Sequence, residues 1–125
     1  MITMGDIIEA LDTDKTKERP TQIIAYGMPA SEEEYLKNVK FISGESDGEA
    51  TYHSTPVYTW KEVSDKKTVL DADYASKDYQ RKRVLEYPLL TDQLDQLYHD
   101  MTAGKLDATG EWHKTIKTVK DKYPK

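Results

Sequence analysis

Between Tyr87 and Lys125 the apolar residues fall into two runs, each with the spacing of one helix face. Leu90, Leu94, Leu97, Tyr98 and Met101 recur at three- and four-residue intervals, as do Trp112, Ile116, Val119 and Tyr123. Such intervals place side chains on a single stripe of an α-helix. Pro88 separates the first run from what precedes it, because the residue before a proline is pushed away from helical geometry. Gly104 supplies a stop between the runs, and Thr109 is the expected cap of the last helix. Lys114, Lys117, Lys120 and Lys122 occupy the other faces of the second run, and their charge suits the C-terminal end of its dipole. Two stripes joined by a short turn predict an antiparallel helix hairpin.

Upstream the pattern is mixed. Thr3-x-x-Asp6 opens a brief helix carrying Ile7, Ile8 and Leu11, and residues 12–20 form a polar linker. Gln22 to Tyr26 has strand character, stopped by Gly27 and Pro29. Ser31-x-x-Glu34 is a second capping box, for a helix bearing Tyr35 and Leu36. Val39 to Ile42 and Ala50 to His53 flank a turn containing Gly44 and Gly48, which predicts a β-hairpin. Thr59-x-x-Glu62 starts another helical turn or two, over residues 60–66, and residues 74–86 contain few helix breakers. The expected fold class is therefore α+β. A small mixed N-terminal unit with a β-hairpin, residues 1–70, precedes a helical region, residues 71–125, that ends in the helix hairpin.

Composition narrows the function classes. The chain has 125 residues, 33% of them charged and 37% hydrophobic, so its core is modest and part of its surface relies on partners for burial. Nine Tyr and two Trp supply amphipathic aromatic surface of the kind that protein–protein contacts use. A net charge of −5 disfavours attraction of the whole chain to phosphate backbones. Cysteine is absent, which removes disulfides and thiolate metal sites and fits a reducing compartment. No apolar run approaches the ~20 residues needed to span a bilayer. The first residues lack the basic start and apolar core of a signal peptide, so residence in a cytoplasm after synthesis is expected.

Candidate chemistry is sparse. His99 with Asp95 and Asp100, and His113, invite a metal reading, but there is no HExxH and no cluster of three, so ordinary helix positions are expected. The pairs Asp12/Asp14 and Asp71/Asp73 lack the glycine and terminal Glu of a calcium loop and are expected to be solvated. Glu32, Glu33 and Glu34 suit a helix start better than acid/base work. Lys77, Arg81, Lys82 and Arg83, interleaved with Tyr74 and Tyr79, could face phosphates, but Asp73 and Asp78 stand at pairing distance along the same helix. No nucleophile elbow or phosphate loop appears. The expectation is a non-enzymatic chain with no cofactor and no metal, acting through protein contacts. Tyr98, Met101, Trp112 and Tyr123 are the expected interface residues, since aromatic rings tolerate a half-wet edge. Leu94, Leu97 and Ile116 are expected to serve mainly as core.

The stretch from Asp78 to Arg83, then Glu86-Tyr87-Pro88, Asp92 to Asp95 and Leu97 to Asp100, resembles a group of small tail-associated proteins of tailed bacteriophages. Trp112 and the closing Val119 to Lys125 continue that likeness, which covers about the last fifty residues. The resemblance implies a tail structural protein, associated with the tail fibre or baseplate. Its partners would be other phage tail proteins and further copies of itself, without membrane and without nucleic acid. The implied location is the virion tail, after synthesis in the host bacterial cytoplasm. Alternatives are a transient tail-fibre assembly chaperone and, from a different class, a small nucleic-acid-binding regulator using residues 77–83.

Overall fold

Thr3 begins the first helix as expected: its hydroxyl accepts from the Asp6 amide, while the Asp6 carboxylate accepts from the Thr3 amide. This reciprocal cap starts α1 (Met4–Asp14), which buries Met4, Ile7, Ile8 and Leu11 on one stripe. The computed structural model describes all residues from Met1 to Lys125. After α1 come β1 (Ile23–Ala25), α2 (Glu32–Asn38), β2 (Val39–Ser46), β3 (Glu49–Tyr52) and α3 (Trp60–Ser76). Three further helices follow, α4 (Asp78–Glu86), α5 (Leu90–Thr102) and α6 (Glu111–Lys122). The fold class is α+β.

The chain divides into two compact units, Met1–Ala75 and Ser76–Lys125. The division expected near residue 70 falls inside α3. That helix is longer than the turn or two expected after Thr59; the i,i+4 ion pairs Lys61–Asp65 and Lys67–Asp71 lie along it and favour helix. Thr59 and Glu62 form its reciprocal cap.

In the first unit the strands form an antiparallel sheet in the order β1-β2-β3. Ile23 lies opposite Phe41 and Ala25 opposite Val39. Val39 and Phe41 turn inward on alternate positions of β2, and beyond Ile42 both faces of the hairpin are exposed. The expected turn is tighter than Ser43–Glu49, since β2 continues to Ser46 and the reversal is made by Asp47 and Gly48, both at positive φ. The core gathers Met4, Ile7, Ile8, Leu11, Tyr35, Val39, Phe41, Tyr58 and Val63. Within it the Tyr35 hydroxyl donates to the Tyr58 carbonyl at 2.6 Å, and the Tyr58 hydroxyl donates to Asp12 at 2.5 Å.

Asp12 corrects the expectation of a solvated acid in a polar linker. It lies in the last turn of α1, buried, and also accepts from the Thr21 amide and hydroxyl at 2.5 Å each. Burial by itself pushes its pKa up. The hydrogen bonds from Thr21 and Tyr58 and the charge of Lys17 outweigh that, leaving it below the ordinary carboxylate value. The segment after α1 is thus tied back to the core by one carboxylate.

In the second unit α6 runs back along α5. The end of α5 meets the start of α6 through Asp100, and the end of α6 returns to Glu86, just before α5 begins. The expected antiparallel hairpin is present, with α4 packed against α6. No helix is long and apolar enough to cross a membrane.

Candidate functional site

The second unit is organised by polar groups. Asp100, in the last turn of α5, is buried and accepts from the Glu111 amide at 3.0 Å and the Trp112 amide at 2.8 Å. It therefore caps α6 from outside, a task expected of Thr109. Gly110 is the N-cap residue, and Thr109 is instead held by the Asp107 carboxylate. The Trp112 amide is the main influence holding the Asp100 carboxyl below its usual range, with the Glu111 amide and the charges of Lys105 and Lys114 adding to it against burial. Gly110 permits the approach: a Cβ there would lie 2.4 Å from the Lys105 carbonyl and 2.7 Å from the Asp100 carboxylate. Gly104, at φ +69°, ends α5 as anticipated.

At the other end, Arg83 of α4 donates to the Tyr123 carbonyl at 2.9 Å and the Lys120 carbonyl at 3.3 Å, satisfying the C-terminus of α6. Its guanidinium lies 4.8 Å from the centre of the Tyr79 ring. Lys82 and Arg81 pair with Asp78 at 2.6 and 3.4 Å. Arg81, Lys82 and Arg83 of the basic run considered as a phosphate-binding face are engaged in these contacts within their own unit. Tyr123, expected at an interface, is half-buried and donates its hydroxyl to Glu86, which also pairs with Lys122. Those two partners depress the Glu86 pKa, Lys122 foremost.

What the polar scaffold leaves uncovered is apolar. α5 turns Gln93, Gln96 and Asp100 inward; Trp112 Nε1 donates to Gln93 at 3.4 Å, and Gln96 Oε1 is buried without a partner. An adjacent stripe faces solvent: Leu90 is 70% exposed, Leu94 56%, Tyr98 66% and Met101 56%. Val84, Leu85, Leu89 and Leu106 are exposed as well. Val119 is the one buried apolar side chain of residues 76–125. Leu94, expected in the core, is therefore on the surface, while Leu97 and Ile116 are half-buried.

Two open grooves lie at the hairpin, neither of them lined by Leu90, Leu94, Tyr98 or Met101. One of about 340 Å³ is lined by Leu97, Leu106, Trp112 and His113, with Asp100 and Asp107 at its wall. The next, about 360 Å³, shares Trp112 and His113 and runs along α6 past Ile116 between Lys117 and Lys120. Of the four expected interface residues, Tyr98 and Met101 lie on the exposed stripe and Trp112 lines both grooves; Tyr123 lies apart from them. Asp100, Gly110, Gln93 and Arg83, which build the site, were not singled out for these roles by sequence pattern. One signal did exist, since Asp100 stands at the wrong end of its own helix dipole and so needs an external donor.

The candidate metal ligands do not converge. His99 lies 3.5 Å from Asp95 on the exposed side of α5, and His113 lines the grooves on α6. Asp14 pairs with Lys66 and Asp71 with Lys67. Glu34 accepts from the Ala30 amide at the start of α2. Compared with protein-family models, curated proteins and solved structures, the chain matches none.

Proposed function

We propose that this chain is a non-enzymatic structural protein that docks onto other proteins through its C-terminal helices, in the tail of a tailed bacteriophage at the fibre or baseplate. The observation that carries the docking role is the apolar stripe of α5, whose Leu90, Leu94, Tyr98 and Met101 face solvent. Single exposed leucines are ordinary, but an aligned row of large apolar side chains marks an interaction surface. The tail context rests on the likeness of residues 78–125 to tail-associated proteins. Phage-encoded partners of this surface are other tail proteins, with further copies of the chain among them.

Mass spectrometry of purified virions tests this reading. The chain is expected in finished particles, in stoichiometric amounts. Particles that lack it, while tail fibres fail to assemble in its absence, would favour an assembly chaperone. Particles that lack it and assemble normally without it would overturn the tail reading.

A further inference from the structure

We infer that the occupant of the exposed surface is a second copy of this chain, with α5 of each protomer lying against α6 of the other to close a four-helix bundle. The inference rests on the docking role proposed above and names its partner. Three observations on the second unit lead to it.

The first is the lack of an internal core. Val119 alone is buried among the apolar residues of 76–125, whereas α5 and α6 each carry a full apolar stripe. A helix hairpin that turns Gln93, Gln96 and Asp100 inward, with only Leu97 half-buried beside them, leaves Leu90 and Leu94 for another hairpin. The second is spacing. Leu90, Leu94, Leu97 and Met101 alternate four- and three-residue steps, the seam of helices that pack nearly parallel or antiparallel over several turns. At ~1.5 Å per residue such a seam is about 17 Å long, and it matches another helix of similar length, which α6 is.

The third observation is charge, and it selects the arrangement. α5 carries Asp92, Asp95 and Asp100 and no lysine or arginine. The groove along α6 is lined by the apolar Trp112 and Ile116 and by two lysines, Lys117 and Lys120, against one acid, Asp121, which pairs with Lys117. Laying α5 on α5 would bring acids from both copies together. Laying α5 on α6 sets Asp92 and Asp95 beside lysines, and a two-fold axis repeats the favourable contact. Trp112 lies at the centre of this geometry, 37% exposed and lining both grooves, where the Leu94–Tyr98 segment of the second copy would seat.

Sedimentation velocity on the full chain, over a concentration series from about 1 to 500 μM, reads the outcome. The 14.4 kDa chain is expected to sediment at twice that mass at the upper end. Leu94→Glu, at a surface position where folding is undisturbed, should weaken association at least tenfold with unchanged circular dichroism. Leu85→Glu, on α4, should leave association unchanged. Reversing α5 charge with Asp92→Lys and Asp95→Lys should weaken association, and adding Lys117→Glu and Lys120→Glu should restore it. A chain monomeric throughout the series would overturn the second-copy inference while leaving the virion test of the docking role intact. A dimer indifferent to Leu94→Glu would place the contact elsewhere and overturn it equally. A dimer that the α5 reversal weakens but the α6 reversal does not restore would overturn the α5-on-α6 arrangement.

Discussion

Asp12 and Asp100 are the two buried charged residues, and both stand in the last turn of a helix. Each opposes the dipole of the helix that bears it, and each is stabilised by donors from the chain that follows. Asp12 holds Thr21 nine residues on and Tyr58 across the core, so removing it strips several hydrogen bonds at once. Asp12→Ala leaves the buried Tyr58 hydroxyl without an acceptor and should cost about 2–4 kcal/mol, while Asp12→Asn, which keeps one acceptor, should cost less. The urea midpoint of the first unit, followed through Trp60 fluorescence, measures both. Because the folded pKa of Asp12 lies below the ordinary carboxylate value, the unfolded chain binds more protons as acid is added. The contribution is therefore present at neutral pH and above about 4, and is lost as pH falls through the folded value. In Asp12→Asn this part of the acid sensitivity should vanish. Sequence composition placed Asp12 in a solvated linker because its partner Tyr58 is 46 residues away. Nothing local announces that partner except an acid at an unfavourable helix end.

Among the elements, those whose cause is local were legible. The caps at Thr3, Ser31 and Thr59, the stop at Gly104 and the stripes of α1, α5 and α6 all follow from residues within a turn or two. The length of α3 was not, since beyond Leu70 it carries no apolar stripe to reveal it. The direction in which α5 faces was not legible either. Its apolar stripe suggested burial, whereas the inward side is chosen by Asp100 reaching for the start of α6. That joint depends on Gly110. Gly110→Ala would drive a methyl group against the Lys105 carbonyl, which is backbone and cannot swing aside. The substitution should cost about 1–3 kcal/mol, in the range of overpacked sites. Amide exchange at Glu111 and Trp112 should rise more than at any position in α1. Unchanged protection at those two amides would show that the joint tolerates the extra atom and that Asp100 is not its anchor.

Across the molecule the two units differ in how they are held. Residues 1–75 have a nine-residue apolar core crossed by the Tyr35–Tyr58–Asp12 hydrogen bonds, and residues 76–125 have caps, ion pairs and one buried valine. Burial, foremost, pushes Tyr35 and Tyr58 up to about 12, with Glu62 adding to the shift of Tyr35 and Asp12 to that of Tyr58. The first unit should accordingly keep that contribution below pH 10 and lose it as pH rises toward 12. The second unit has little burial of its own, so under the proposed dimer much of its stability should come from the second copy. One tryptophan in each unit makes this measurable: Trp60 packs 5.6 Å from Tyr35, and Trp112 stands at the head of α6. With Trp112→Phe the remaining fluorescence reports the first unit, and with Trp60→Phe the second. On heating, the Trp60 signal should change at one temperature whatever the protein concentration. The Trp112 signal should change earlier in dilute solution and move upward as concentration rises, by several degrees per tenfold, because mass action then favours the covered state. Two signals that coincide at every concentration would mean that the C-terminal helices draw their stability from within the monomer, and the exposed leucines of α5 would then need another account.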